Sequence, residues 1–443
     1  MNNSNNPVEY RIDEIITYLF LDYNFCHVKY DTRGVNMSRD FDIVIWGSTG
    51  FTGRLVVEYL LSVYGEQPPF SWAVAARNRE KLTQVINELS SKYPFADKLP
   101  TIIADSFDRN SLDQMTEKTK VICTTVGPYS KYGSELVASC IAHGTHYCDL
   151  TGEPPFVKNM IDLHHETAIK QKCRIVHFCG FDSIPSDIGT WMIQDEYKKH
   201  HQQYLDEICF YMGPSKGGFS GGTVASMLHM FEQVGDKKIR RILGNPYALD
   251  PDDGIKKPRV SDNVGLSFDK DINKWIGPFI MAATNTRAVR RSHALQGYPY
   301  GHNFIYKEVM SMPNLFMALG LTFGLTSFIS LVAFPPTRRI LQQFFLPKPG
   351  EGPSEDAREN GYFVIYLIGK KDGQIACKGT VKGKKDPGYG ETAKMLAESA
   401  LCLALDELPS NYGIITPAYA MGESLLQRLR KAGMTFETHI DKT

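Results

Sequence analysis

The sequence lacks net charge: lysine plus arginine and aspartate plus glutamate both number 49. No run of like charges disturbs that balance, so there is no basic field on which nucleic acid could settle. It also lacks any CxxC pair. The nine cysteines, Cys26, Cys123, Cys140, Cys148, Cys173, Cys179, Cys209, Cys377 and Cys402, are scattered and odd in number. That pattern argues against a disulfide framework or a zinc site and for a reducing, intracellular setting. No histidine spacing suggests a metal; His164–His165 and His200–His201 read as helix surface. The N-terminal stretch lacks the basic, apolar and small-residue succession of a signal peptide. Its run "IITYLFL", Ile15 to Leu21, is far too short to span a bilayer. Residues 1–37 are therefore expected to form a loosely attached extension.

What is present is a chain of 443 residues, 42% hydrophobic and 22% charged, suited to two or three folded domains. Apolar runs of strand length recur at Phe41–Trp46, Trp72–Ala76, Thr101–Ala104, Val121–Thr124, Thr145–Cys148 and Arg174–Phe178. Between them lie helical patterns such as "FTGRLVVEYLLSVY", with apolar residues three and four apart. Strands alternating with helices imply βαβ units, right-handed crossovers and a parallel sheet. The expected fold class is α/β: a doubly wound Rossmann sheet over 38–198.

Three glycines stand three apart behind the first strand, in "VIWGSTGFTGRL". Gly47 permits a tight turn, Gly50 lets backbone approach a pyrophosphate, and Gly53 allows close helix–strand packing. The helix that follows points unpaired N–H groups at the phosphates. The expected dinucleotide cradle is Gly47, Ser48, Thr49, Gly50, Phe51, Thr52 and Gly53, with hydroxyl donors at Ser48, Thr49 and Thr52. NAD sites place an acid at the end of the second strand. Here the reading is "WAVAARNREKL", with Ala76 in that place and Arg77 next. A guanidinium can grip a 2′-phosphate that an acid would repel, so NADP(H) is the expected cofactor. Arg79 and Lys81 read as solvated helix face. Asp105, after the third strand, is placed to meet the adenine or to cap the next helix. Val126, Gly127 and Pro128, at the carboxyl end of the fourth strand, are expected to border the nicotinamide ribose.

Several ordered strings together resemble one family, the saccharopine dehydrogenase-like oxidoreductases. They include "GSTGFTGRLV", "TTVGPYSKYGSELVASCIAHGTHYCDLTGE", "HFCGFDSIPSDIG", "DPGYGETAKMLAESALCLA" and "GIITPAYAMGESLLQRLRKAGMTF". The match runs from about Met37 to the C-terminus. The family is also similar to the trans-acting enoyl reductases that bacteria use in making glycolipids. The resemblance implies a second α/β domain over 199–387 and a C-terminal segment, 388–443, whose helices return to pack on the Rossmann domain. The sequence agrees with a β-hairpin around Asp372–Gly373 and two amphipathic helices near the end.

No catalytic pair is legible. The one Tyr-x-x-x-Lys, Tyr366 with Lys370, falls in a strand pattern, where its members stand about 13 Å apart at ~3.3 Å per residue rather than on one helical turn. Tyr129 and Tyr132, and the carboxyl-edge residues Asp149, Thr151, Glu153, Asp182 and Ser183, are the candidates. Tyr129 and Asp182 are carried forward. Asp187 reads as a first-turn helix acid.

Leu315 to Phe334, "LFMALGLTFGLTSFISLVAF", holds no charge and as a helix would run about 30 Å at ~1.5 Å per residue. Gly320 and Gly324 form a G-x-x-x-G, compatible with a homodimer face. A buried helix, a single span and insertion into one leaflet compete. A lone span would separate segments expected to pack together. The leading reading is an NADP(H)-dependent oxidoreductase acting on a lipid-like substrate, in glycolipid or acyl-lipid metabolism. It would sit at a membrane, endoplasmic reticulum or lipid-droplet surface through 315–334. The alternatives are a non-catalytic nucleotide-binding protein of lipid surfaces, and a soluble saccharopine-type amino-acid dehydrogenase. The last would need Arg287, Arg290 and Arg291 to clamp carboxylates; otherwise they read as a solvated helix.

Overall fold

The computed structural model describes residues 39–440 except 219–220, 234, 263 and 345–350. The N-terminal extension lies outside the described residues. From Arg39 onward the chain is one compact unit, built on two seven-stranded sheets.

The first sheet is parallel throughout. Its βα units are β1 (Phe41–Trp46) with α1 (Phe51–Tyr64), β2 (Trp72–Ala76) with α2 (Arg79–Ser90), and β3 (Thr101–Ile103) with α3 (Arg109–Glu117). After β4 (Thr119–Thr124) come a short helix α4 (Tyr129–Tyr132) and α5 (Ser134–Ala142). Then follow β5 (His146–Asp149), α6 (Pro154–Lys170), β6 (Arg174–Val176) and α7 (Ile184–His201). These strands read as continuous apolar runs because helices cover both faces: all of Trp72–Ala76 and of Ile43–Trp46 is buried. The six expected strands are present, and a seventh, β13 (Gly413–Ile415), pairs in parallel with β6 from the far end of the chain.

The second sheet is mixed. The chain passes through β7 (Glu207–Lys216), α8 (Gly221–Gln233), α9 (Lys237–Gly244), β8 (Ser267–Asp269), β9 (Lys274–Pro278) and α10 (Ala282–Leu295). It continues through β10 (Ile305–Met312), α11 (Leu315–Ala333), α12 (Pro335–Phe344) and α13 (Glu355–Glu359). The hairpin of β11 (Tyr362–Lys371) and β12 (Gln374–Gly383) turns at Asp372–Gly373, both with positive φ, as a two-residue hairpin loop demands. Then come α14 (Thr392–Leu405), β13, α15 (Pro417–Lys431, kinked at Gly422) and β14 (Thr435–Ile440). The C-terminal segment serves both sheets: α14 packs on α1, β4 and β5, while β14 pairs with β12.

The uncharged stretch is α11, and the structure overturns the buried-helix alternative. Only Ala318 and Val332 are buried along it. Phe316 is 84% and Phe323 76% exposed. One edge docks on β9, β10 and α8, with Thr322 against Gly277. A Cβ added at Gly320 or Gly324 would meet nothing within 4 Å.

Candidate active site

The glycine turn is shaped by contact rather than by composition. Gly47 has φ +91°, open to glycine alone without strain, and a Cβ there would strike the Val126 and Thr125 side chains. A Cβ at Gly53 would overlap the Gly47 carbonyl. This lets α1 begin directly against the end of β1. Its N-terminus has no side-chain cap, and the N–H groups of Phe51, Thr52 and Gly53 find no acceptor among the described residues. Uncapped N–H groups over a side-chain-free turn are what a dinucleotide pyrophosphate requires. Thr49 and Thr52 remain placed as donors. Ser48 does not: it is buried, and its hydroxyl donates to the Ala75 carbonyl at 2.9 Å. It ties β1 to β2 instead of facing a phosphate.

Arg77 follows β2 with its side chain 69% exposed, its Nε 4.0 Å from Asp105 Oδ2. The guanidinium is thus exposed just after β2 and weakly held. Asp105 accepts from the Phe107 N–H at 2.9 Å, closing a turn, while the cap of α3 is Asp108. The Val126–Gly127–Pro128 turn lies against Gly47 and opens toward α8: a Cβ placed on Gly127 would lie 3.4 Å from the Ser226 hydroxyl.

Of the carboxyl-edge candidates, most are committed to the fold. Asp149 accepts from Tyr147 Oη at 2.8 Å and pairs with His177 Nδ1 at 2.7 Å, all three fully buried. Glu153 accepts the N–H groups of Tyr129 and Ser130 at 2.9 and 3.0 Å, fixing the loop that follows Pro128. Tyr129 is buried against Phe156, and its hydroxyl donates to the Thr124 carbonyl at 3.2 Å. That assigns it to packing, and burial raises its phenol further from use as an acid. Tyr132 packs on Phe107.

Asp182 differs from all of these. It is half-buried and has no hydrogen bond or ion pair among the described residues, with its Oδ2 near Gly152 and Met281 flanking the same glycine. Burial without a partner pushes its carboxyl up to about 6. Its neighbour Ser183 is anchored: the hydroxyl meets Asn285 Oδ1 at 3.2 Å, and Asn285 Nδ2 donates to Glu308 Oε2 at 2.8 Å. Tyr306 Oη donates to the other oxygen of Glu308 at 2.8 Å, and burial pushes this carboxyl up to about 8. Asp187, in the first turn of α7, accepts from the Ala418 N–H at 2.8 Å.

Residues 43–176 match the family model for the saccharopine dehydrogenase NADP binding domain. A Mycobacterium tuberculosis protein with the provisional name trans-acting enoyl reductase is 39% identical over 422 residues, covering 90% of this chain and 98% of its own. A trans-acting enoyl reductase of Mycobacterium leprae is 36% identical over 420 residues, with the same coverage. The chain belongs to the saccharopine dehydrogenase-like oxidoreductases. Among solved structures, a Saccharomyces cerevisiae saccharopine dehydrogenase (L-Glu forming) aligns over 90% of this chain and 99% of its own, at 14% identity and a TM-score of 0.48.

As a member of this family the chain is an NADP-dependent oxidoreductase. When bound, NADP(H) supplies a hydride to the reaction. The residues present fit such a group: Thr49–Gly53 would receive the phosphates, Arg77 would stand at the ribose, and Asp182 would be the group able to give up a proton. The arginine trio of α10 is neither solvated nor a substrate clamp. Arg287 and Arg290 pair with Asp262 at 3.2 and 2.7 Å, and Arg291 donates to the carbonyls of Leu249 and Ile414. All three are buried. Those contacts occupy the forks that an amino-acid carboxylate would need.

Proposed function

We propose that this oxidoreductase reduces an α,β-unsaturated lipid-like acyl substrate, drawn from a membrane or lipid-droplet surface on which α11 and α12 rest. One observation carries the reading. Helix α8 touches both the cofactor turn and the apolar helix: Ser226 faces Gly127, while Val224 and Leu228 pack with Val332 of α11. A substrate tail leaving the lipid would thus follow α8 to the carboxyl edge of the first sheet. The relatives' names, enoyl reductases, support the reaction class.

The chemistry balances within the site. Bound NADPH would supply the hydride that the β-carbon of the enoyl group takes up as its π bond is lost, and Asp182 would deliver the proton to the α-carbon. Exposed Phe316, Phe323, Phe334 and Phe344 present apolar surface, each ring worth about 1.5–3 kcal/mol if fully buried in lipid. Arg338 and Arg339 stand beside them, with no ion pair among the described residues, suited to lipid phosphates. Docking of one edge of α11 on β9 and β10 favours lying in one leaflet over crossing the bilayer. The protein would then be an intracellular peripheral protein of the endoplasmic reticulum or of lipid droplets.

The test is NADPH oxidation with a trans-2-enoyl lipid offered in phosphatidylcholine–phosphatidylserine vesicles. Turnover that follows vesicle-bound protein supports the proposal. Equal turnover with free protein and a short water-soluble enoyl ester would remove the lipid surface from it.

A further inference from the structure

Residues 351–359 lie across the glycine turn. Gly352 stands on the ring of Phe51, where an added Cβ would overlap the ring. Tyr389 meets the same ring edge-on with centroids 5.1 Å apart, and the guanidinium of Arg358 sits 5.5 Å from its centroid. Phe51 is the first residue of α1, so two parts of the chain remote from it in sequence converge on the uncapped helix N-terminus.

The strap has its own anchor. Asp386 donates its N–H to the Arg358 carbonyl at 2.8 Å. Its carboxylate accepts the N–H groups of Gly218 and Tyr389 at 2.9 and 2.7 Å, so it is spent on backbone. Arg358 itself donates one N–H to the Pro353 carbonyl at 2.7 Å and has no carboxylate within ion-pair distance among the described residues. The nearby Glu355 pairs with Lys92 at 3.3 Å. Arg358 and Lys81 line one cleft of about 540 Å³ together with Thr49 and Gly50.

A half-buried guanidinium beside the positive end of an uncapped helix, with only the backbone-committed carboxylate of Asp386 acting on it from beyond ion-pair distance, is weakly compensated on its own. It becomes favourable once a dianionic diphosphate lies between the two. We infer that Arg358, carried over the glycine turn by the strap 351–359, is a ligand of the cofactor pyrophosphate and closes the dinucleotide site from outside the Rossmann sheet. The inference rests on the NADP(H) assignment and adds to it a residue beyond the domain that the family model covers.

The experiment measures equilibrium binding of NADPH and NADH by nucleotide fluorescence, for the full chain and for the R358Q and R77E variants, with thermal melting as the folding control. Loss of one charge-assisted contact should weaken both nucleotides about tenfold or more in R358Q, about 1.4 kcal/mol per decade. R77E should weaken NADPH alone. Loss confined to NADPH in R358Q would overturn the pyrophosphate assignment by moving the guanidinium to the 2′-phosphate. Unchanged affinity would overturn the inference outright. A wild-type chain that binds neither nucleotide would remove the cofactor reading itself.

A second readout does not depend on a variant that folds. NADPH should slow trypsin cleavage after Arg358 in the wild-type chain, while cleavage after exposed Lys431, remote in sequence, keeps its rate. Equal cleavage after Arg358 with and without NADPH would count against the strap.

Discussion

At the residue scale, the proposed chemistry rests on two side chains, Asp182 and Arg77, and on neither having a firm partner among the described residues. Asp182 is the one carboxyl of the candidate set left unpaired, and a value of about 6 leaves about one molecule in ten protonated at pH 7. As the proton donor it is active when protonated, so kcat/KM should fall as pH rises through about 6. Asp182→Asn should lower kcat by roughly 10²-fold and flatten that limb, while NADPH affinity stays put. A D182N profile that keeps the same limb would assign the proton to another group. Arg77 is the corresponding residue for cofactor choice. Arg77→Glu should weaken NADPH by roughly tenfold to a hundredfold relative to NADH, since a guanidinium–phosphate contact becomes a repulsion. An unchanged NADPH to NADH ratio would contradict its role.

Residue identities were partly legible in the sequence. Gly47, Gly50 and Gly53 were readable because a phosphate turn needs backbone and no side chain. Ser48 was misread because a hydroxyl in such a turn looks like a ligand until the Ala75 carbonyl 27 residues on is placed beside it. The freedom of Asp182 and the commitment of Asp149 could not be told apart by spacing. The partner of Asp149, His177, lies 28 residues away and arrives only through the pairing of β5 with β6.

At the element scale, α1 and α11 show opposite uses of small and apolar residues. Helix α1 begins where it does because Gly53 lets it rest on the Gly47 carbonyl. Gly53→Ala forces that contact apart, so it should cost about 1–3 kcal/mol of stability and reduce dinucleotide binding, seen by urea unfolding and fluorescence titration. Helix α11 buries two residues and leaves its phenylalanines outside. Phe316→Glu together with Phe323→Glu should abolish flotation with anionic vesicles, since a charge deep in hydrocarbon costs about 2.5–3.5 kcal/mol. NADPH affinity should not move. Retained flotation would show that α11 does not enter lipid. The length and lack of charge of this helix were evident from its residues. Whether it was buried was not, because uniform apolarity looks the same in a core and on a lipid-facing surface.

At the scale of the whole molecule, the chain closes on itself. β13 extends the parallel sheet and β14 the mixed one, so the last segment locks both. Neither was foreseen: the three residues of β13 are too few to show periodicity, and β14, "TFETHI", sits on a sheet edge. The buried Asn285–Glu308–Tyr306 group lies at the joint between α10 and β10. Glu308 keeps its proton in the fold up to about pH 8 but would release it near 4.5 when unfolded. The folded state therefore binds the extra proton across that window, and stability must fall as pH rises through it. Glu308→Gln stays neutral, so the melting-temperature difference between about pH 5 and about pH 9 should shrink in the variant. An unchanged difference would mean Glu308 ionises alike in both states.

The proposed reaction passes hydride from NADPH to a lipid-borne enoyl group in this chain. It is tested most directly by incubating the protein with [4-²H]NADPH of each stereochemistry and a trans-2-enoyl lipid in vesicles, then reading the acyl chain by mass spectrometry. The expected product is a saturated chain carrying a single deuterium at the β-carbon from one stereoisomer, and none from the other. A chain that binds NADPH tightly yet returns every enoyl and carbonyl lipid undeuterated would contradict it, and would leave a nucleotide-binding protein of lipid surfaces in its place.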